Sequence, residues 1–128
     1  MRFDHVAVPS KDIPKSVEWY RTRFNAKVLY EDATWAFLQV GGTKLALVTP
    51  SQHPPHIALS LTQEALRAAA TLANVSIDTH RDGSQGIYLY DPDGNAVELI
   101  NYPPGQTVYA TRGAGSGSAS DGSGEAAE

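Results

Sequence analysis

The chain states one pattern twice, and that repeat limits its folds more than any other feature of the sequence. One copy runs from Phe3 to Pro50 and the other from Pro55 to Pro103. Each opens on a short stretch that alternates apolar residues around a histidine, FDHVAV and PHIALSL, as a half-buried strand does. Each then turns helical. Ile13, Val17, Tyr20 and Phe24 recur at helical spacing behind Asp12, an N-cap residue, with Pro14 close behind. In the second copy Thr62 caps QEALRAAATLA, where Leu66, Ala69, Ala70 and Leu72 are expected to form the apolar stripe. Three strands follow in each copy: AKVLY, TWAFLQV and TKLALV, then VSIDT, GIYLY and AVELINY, with GGT and DPDGN at hairpin turns.

The order is therefore βαβββ, twice. A module of this size buries too little apolar surface to be stable alone, so the two are expected to pair their sheets into one α+β domain with a groove. The domain is placed at 1–104, built from modules 3–50 and 55–103. Residues 105–128 are read as a flexible tail, most plainly from Gly113, where GAGSGSASDGSGEAAE has no large apolar residue to offset its ordering entropy.

Strand parity assigns faces, because successive side chains point to opposite sides. Val6 and Val8 oppose Phe3, His5 and Ala7; Ile57, Leu59 and Leu61 oppose His56, Ala58 and Ser60; Val97 and Leu99 oppose Ala96, Glu98 and Ile100. If the aliphatic sets face the helices, both histidines and the glutamate share the other face. Tyr88 and Tyr90 fall there too, as do Trp35, Phe37 and Gln39, giving an aromatic surface with polar tips of the kind that lines small-molecule sites.

Composition removes several classes of function. There is no cysteine, which excludes disulfides, zinc thiolate clusters and thiol nucleophiles, so any metal has His and carboxylate ligands. Three of the fourteen acids, Asp121, Glu125 and Glu128, lie beyond Arg112, leaving the rest nearly neutral, with no basic stripe for nucleic acid. No apolar run is long enough for a membrane span, and the N-terminal residues do not form a secretory signal, so a cytoplasmic location is expected.

His5 in FDHVAV followed by SVEWYRTRF, His56 in PHIALSL, and YLYDPDGNAVEL carrying Glu98 together resemble the vicinal oxygen chelate superfamily of glyoxalases, extradiol dioxygenases, fosfomycin-resistance enzymes and bleomycin-binding proteins. The resemblance spans Phe3 to about Tyr102. It implies paired βαβββ modules in an open, curved mixed sheet around a metal ion, with His5, His56 and Glu98 at the ligand positions. Two imidazoles and a carboxylate hold a divalent first-row ion and leave positions open for substrate oxygens. By the same resemblance Tyr88 donates a hydrogen bond to the substrate, and by strand parity Trp35, Phe37, Gln39 and Tyr90 are expected to line the cavity. His53 and His80 fall in loop-like stretches and are minor candidates for a catalytic part.

The branches of the superfamily differ in what they need beyond this set. The glyoxalase isomerases add a carboxylate in the first module, where this sequence has Ala46 between Leu45 and Leu47. The fosfomycin branch carries a phosphonate cluster; Asp78 and Asp82 stand at those positions. An extradiol enzyme wants an acid/base histidine where Gly41–Gly42 stand, leaving His53 or His80 to serve from a loop. The expectation is a metal-dependent enzyme and homodimer acting on a small molecule that chelates through neighbouring oxygens. Oxygenation on Fe(II) ranks first, with Mn(II), Zn(II), Ni(II) or Co(II) as alternative ions. A metal-dependent lyase or thiol transferase ranks second, and a drug-sequestering protein third.

Overall fold

A computed structural model describes residues 1–109. The elements run β1 (Arg2–Pro9), α1 (Ile13–Phe24), β2 (Lys27–Glu31), β3 (Trp35–Val40), β4 (Thr43–Val48), β5 (His56–Ser60), α2 (Gln63–Ala73), β6 (Asp78–Thr79), β7 (Gln85–Tyr90) and β8 (Ala96–Asn101), the expected βαβββ order repeated. The eight strands form one mixed sheet in the order β2-β3-β4-β1-β5-β8-β7-β6. Within it β1 and β4 run parallel, whereas β2–β3, β3–β4, β6–β7 and β7–β8 are antiparallel.

The described residues divide into two compact units, Asp4–Ile57 and a second made of Met1–Phe3 and 58–109. In the first, Asp12 accepts the Lys15 N–H at the start of α1, and Asn25 ends the helix in the left-handed region at φ 56°. The core is Ile13 and Val17 against Ala26, Ala36, Leu38 and Leu47, with Val8, Val28, Val40 and Leu45 around them. Parity thus turned the aliphatic face to α1 as anticipated. Phe24 departs from the stripe: it is exposed and its ring lies against Trp19 and Tyr20.

The second unit repeats these devices. Thr62 accepts the Ala65 N–H, and Asn74 closes α2 at φ 58°. Leu66 and Ala70 are buried with Leu61, Ile87 and Leu99. Two expectations fail here. Leu72 is 91% exposed, because it sits about 200° around the helix from Ala70 at 100° per residue. The strand expected over VSIDT shortens to Asp78–Thr79, which pair only with Gly86 and Gln85. It lies at the sheet edge, and of Val75–Ile77 only Ile77 reaches the core cluster, so little apolar burial rewards further pairing.

The C-terminal residues that the sequence reading grouped with the tail begin at Gly105. Thr107 is buried, the Val108 N–H donates to the Asp82 carbonyl at 2.9 Å, and the Tyr109 hydroxyl donates to Asp82 Oδ2 at 2.7 Å. The remainder of that tail lies outside the described residues.

Candidate metal centre

His5, His56 and Glu98 lie on β1, β5 and β8, three successive neighbours in the hydrogen-bonded strand order. All three are buried.

The histidines meet through Nε2, 3.3 Å apart, with their rings nearly perpendicular at 72°. Their outer nitrogens are engaged. His5 Nδ1–H donates to Asp4 Oδ2 at 2.7 Å, and His56 Nδ1–H donates to the Pro54 carbonyl at 2.7 Å. A neutral ring that donates through Nδ1 has only a lone pair left on Nε2. Two such lone pairs at this separation repel unless a proton or a cation lies between them, and hydrogen bonding of the outer nitrogen is how metal-binding imidazoles are oriented. The donor set therefore fits a divalent ion. Asp4 is itself held, since its Oδ1 lies 3.1 Å from Lys44 Nζ, so a partly buried chain of charge-assisted contacts stands behind His5.

Glu98 is only 3% exposed, and a carboxylate so placed needs partners. One of them is His80, whose Nε2 is 3.4 Å from Glu98 Oε2. The role of His80 was not legible in the sequence. Its Nδ1 is 2.9 Å from Ser84 Oγ, and the Ser84 hydroxyl donates to Asp82 Oδ1 at 2.6 Å. The available clue was local: Asp-Gly-Ser just after a histidine is a turn sequence in which the Asp side chain binds its own backbone.

Tyr88 stands directly opposite Glu98 in the β7–β8 register. Burial, reinforced by the negative charge of Glu98 and the neighbouring Tyr90 and Asp78, pushes its hydroxyl well above the usual phenol range, so it stays a donor. Phe37 is buried with its ring edge-on to His5, 5.0 Å between centroids. Trp35 continues that aromatic row, 4.6 Å from Tyr30 and 6.4 Å from His53. Gln39 and Tyr90, grouped with the cavity residues by parity, are exposed at strand ends; the Gln39 amide donates to the Gly41 carbonyl. Parity assigns a face but not burial. Ala46, where an isomerase would carry a further ligand, is buried in register with Ala7 and Phe37 and brings no oxygen donor. Among the described residues no helix is long and apolar enough to cross a membrane.

Comparison with known proteins agrees with this geometry. A metallothiol transferase, FosB of Staphylococcus epidermidis, is 26% identical over 111 residues, which cover 75% of this chain and 78% of that protein. Among solved structures, a variant methylmalonyl-CoA epimerase of Streptomyces coelicolor in complex with 2-nitronate-propionyl-CoA superposes with a TM-score of 0.64 at 19% identity, covering 80% of this chain and 98% of that one. The methylmalonyl-CoA epimerase of Mycobacterium tuberculosis gives 0.64 at 17% identity over 80% and 89%. These structures share the fold, and each of the three proteins bears an enzyme's name. Residues 2–99 match the Glyoxalase/Bleomycin resistance protein/Dioxygenase superfamily, and the chain belongs to it.

Proposed function

We propose that the chain is a divalent-metal-dependent enzyme whose ion is held by His5, His56 and Glu98, and whose substrate is a small molecule chelating through two neighbouring oxygens. What carries the reading is the approach of two imidazole Nε2 atoms to 3.3 Å while both Nδ1 atoms are engaged elsewhere. When bound, such an ion supplies Lewis-acid polarisation of a substrate oxygen. The protein's own part is orientation and exclusion of water. Asp4 and the Pro54 carbonyl fix the two imidazole rings. Phe37 covers one side of His5. Tyr88 offers a hydroxyl that stays protonated, suited to donate to a substrate oxygen as charge grows on it.

The likeness to a metallothiol transferase supports addition of a thiol to a small electrophile as the reaction. Fe(II)-dependent oxygenation is the second reading, favoured by the donor set itself, since two histidines and one carboxylate with open positions serve non-haem iron oxygenases. A phosphonate clamp forms no part of either reading, because Asp82 is buried within its own turn.

The test is metal analysis of protein purified without chelator, followed by reconstitution. We expect about one equivalent of a divalent first-row ion. Glu98→Ala is expected to abolish tight binding while the metal-free fold persists. Unchanged stoichiometry in that variant defeats the assignment. Mn(II)- or Ni(II)-loaded protein with a thiol and an epoxide, against Fe(II)-loaded protein with a catechol and oxygen, separates the two reactions.

A further inference from the structure

We propose that His80 is a positioning residue for Glu98, and that a relay through Ser84, Asp82 and Tyr109 makes the segment Gln106–Tyr109 part of the support of the metal site. The inference rests on the metal reading above and goes beyond it, since none of these residues is a ligand.

Hydrogen-bond polarity gives the relay one direction. A carboxylate oxygen only accepts, so the single Ser84 proton goes to Asp82 Oδ1, 2.6 Å away. Ser84 Oγ must then accept from His80 Nδ1–H at 2.9 Å. That fixes the imidazole plane, and with both ring nitrogens protonated Nε2–H points at Glu98 Oε2, 3.4 Å away. The main chain locks the same turn: the His80 N–H donates to the Ser84 carbonyl at 2.8 Å, and the Gly83 N–H to the His80 carbonyl at 2.9 Å. Asp82, 2% exposed, has its second oxygen taken by the Tyr109 hydroxyl and its carbonyl by the Val108 N–H. Each link is buried or half-buried, so water competes weakly for it.

Two glycines make room for the arrangement, independently of any hydrogen bond. A Cβ on Gly86 would stand 2.9 Å from Glu98 Oε2 and 3.3 Å from His80 Cε1, in the space the pair occupies. A Cβ on Gly83 would collide with the Gln106 carbonyl oxygen and stand 2.8 Å from Thr107 Cα. Gly83 also lies at φ +93°, which L side chains rarely adopt. The chain is thus shaped both where His80 meets Glu98 and where the C-terminal segment meets the turn. With Oε2 buttressed, the Glu98 carboxylate cannot rotate freely.

The experiment titrates full-length protein with Co(II), reading affinity and the visible ligand-field spectrum, alongside thermal unfolding of the metal-free forms. His80→Leu is expected to weaken Co(II) binding about 10- to 100-fold and to alter the spectrum. His80→Gln, whose amide can reach the same carboxylate oxygen, is expected to recover most of the affinity. Tyr109→Phe should weaken binding in the same direction and less. If His80→Leu does not fold, Ser84→Ala carries the test, because it keeps the ring and frees its orientation; it too should lower affinity. Wild-type affinity and spectrum in folded His80→Leu, or in Ser84→Ala if that variant stands in for it, overturn the positioning role and leave the metal reading standing. Wild-type protein that binds no Co(II) overturns both.

Discussion

Between β2 and β3, Asp32 Oδ1 accepts the Thr34 N–H and hydroxyl and the Trp35 N–H. Between β6 and β7, Asp82 Oδ1 accepts the Ser84 N–H and hydroxyl. In each turn the second carboxylate oxygen takes a tyrosine hydroxyl, from Tyr30 in one and Tyr109 in the other, both at 2.7 Å. The device is the same and its attachment differs. Two residues before the acid stands Tyr30 in the first turn, where the bond stays local, and His80 in the second, where the imidazole reaches Glu98. The fourth strands differ to match, with Ala46 on β4 and Glu98 on β8. A repeated scaffold has kept its turn chemistry in both copies and connected only one of them to a buried carboxylate.

The largest expected effects test whether the two halves are equivalent below the site. Leu38 and Leu66 are both 0% exposed, one in each apolar cluster. Truncating either to Ala should cost about 2–5 kcal/mol, through lost transfer energy and the cavity left behind. Urea unfolding of the two variants measures this. A loss below about 1 kcal/mol in one of them would mean that its cluster collapses around the gap, and the equivalence breaks.

The turns give the sharper contrast. Asp32→Ala and Asp82→Ala each strand hydrogen-bond donors, at a cost of about 1–3 kcal/mol. Only Asp82→Ala should also lower Co(II) affinity. Acid separates them further. Burial works against the charge on Asp32, but donors from Thr34, Tyr30 and Trp35 outweigh it and hold the carboxyl below its usual range. A group depressed on folding stabilises above its unfolded pKa, and the contribution fades as pH falls through that range. The stability gap between wild type and Asp32→Ala should therefore narrow on acidification, as urea midpoints across pH would show. Equal loss of Co(II) affinity in both turn variants would erase the contrast.

What could be read from the sequence was whatever local geometry determines. The two copies, both N-caps and the faces of His5, His56 and Glu98 follow from periods of 3.6 and 2 and from cap chemistry, which neighbouring residues fix among themselves. The errors have equally physical sources. Alternation over VSIDT was read as a full strand, but pairing depends on the neighbour an edge strand lacks. Gln39 and Tyr90 were placed by face alone, although strand ends are open to water. The link from His80 to Glu98 was missed because it depends on how a turn folds back beside β7 and β8, a non-local fact. Thr107, Val108 and Tyr109 were counted with a Gly/Ser tail whose composition they do not share.

The helix caps offer a smaller test. Asp12→Ala and Thr62→Ala each remove an acceptor from the first turn and should cost about 1 kcal/mol. Similar losses keep the two helices comparable. A much larger one at Asp12 would point to the neighbouring Ser10, whose Oγ accepts the Asp12 N–H and shares a 2.7 Å bond with Ser16 Oγ.

The smallest expected effect is at Leu72, and a small effect is what the comparison requires. Helix α1 keeps Trp19 and Phe24 outside in contact with each other, with Arg23 4.8 Å from the Trp19 ring centroid, so its exposed apolar groups shield one another. Leu72 on α2, at 91% exposure, meets water over nearly its whole side chain. Leu72→Gln should therefore shift stability by no more than about 0.5 kcal/mol, since neither state hides the side chain and both residues are good helix formers. Urea unfolding of the monodisperse protein reads it directly. A loss near 2 kcal/mol would mean that Leu72 is covered in solution, and that the two helices differ in what they touch as well as in which groups they expose.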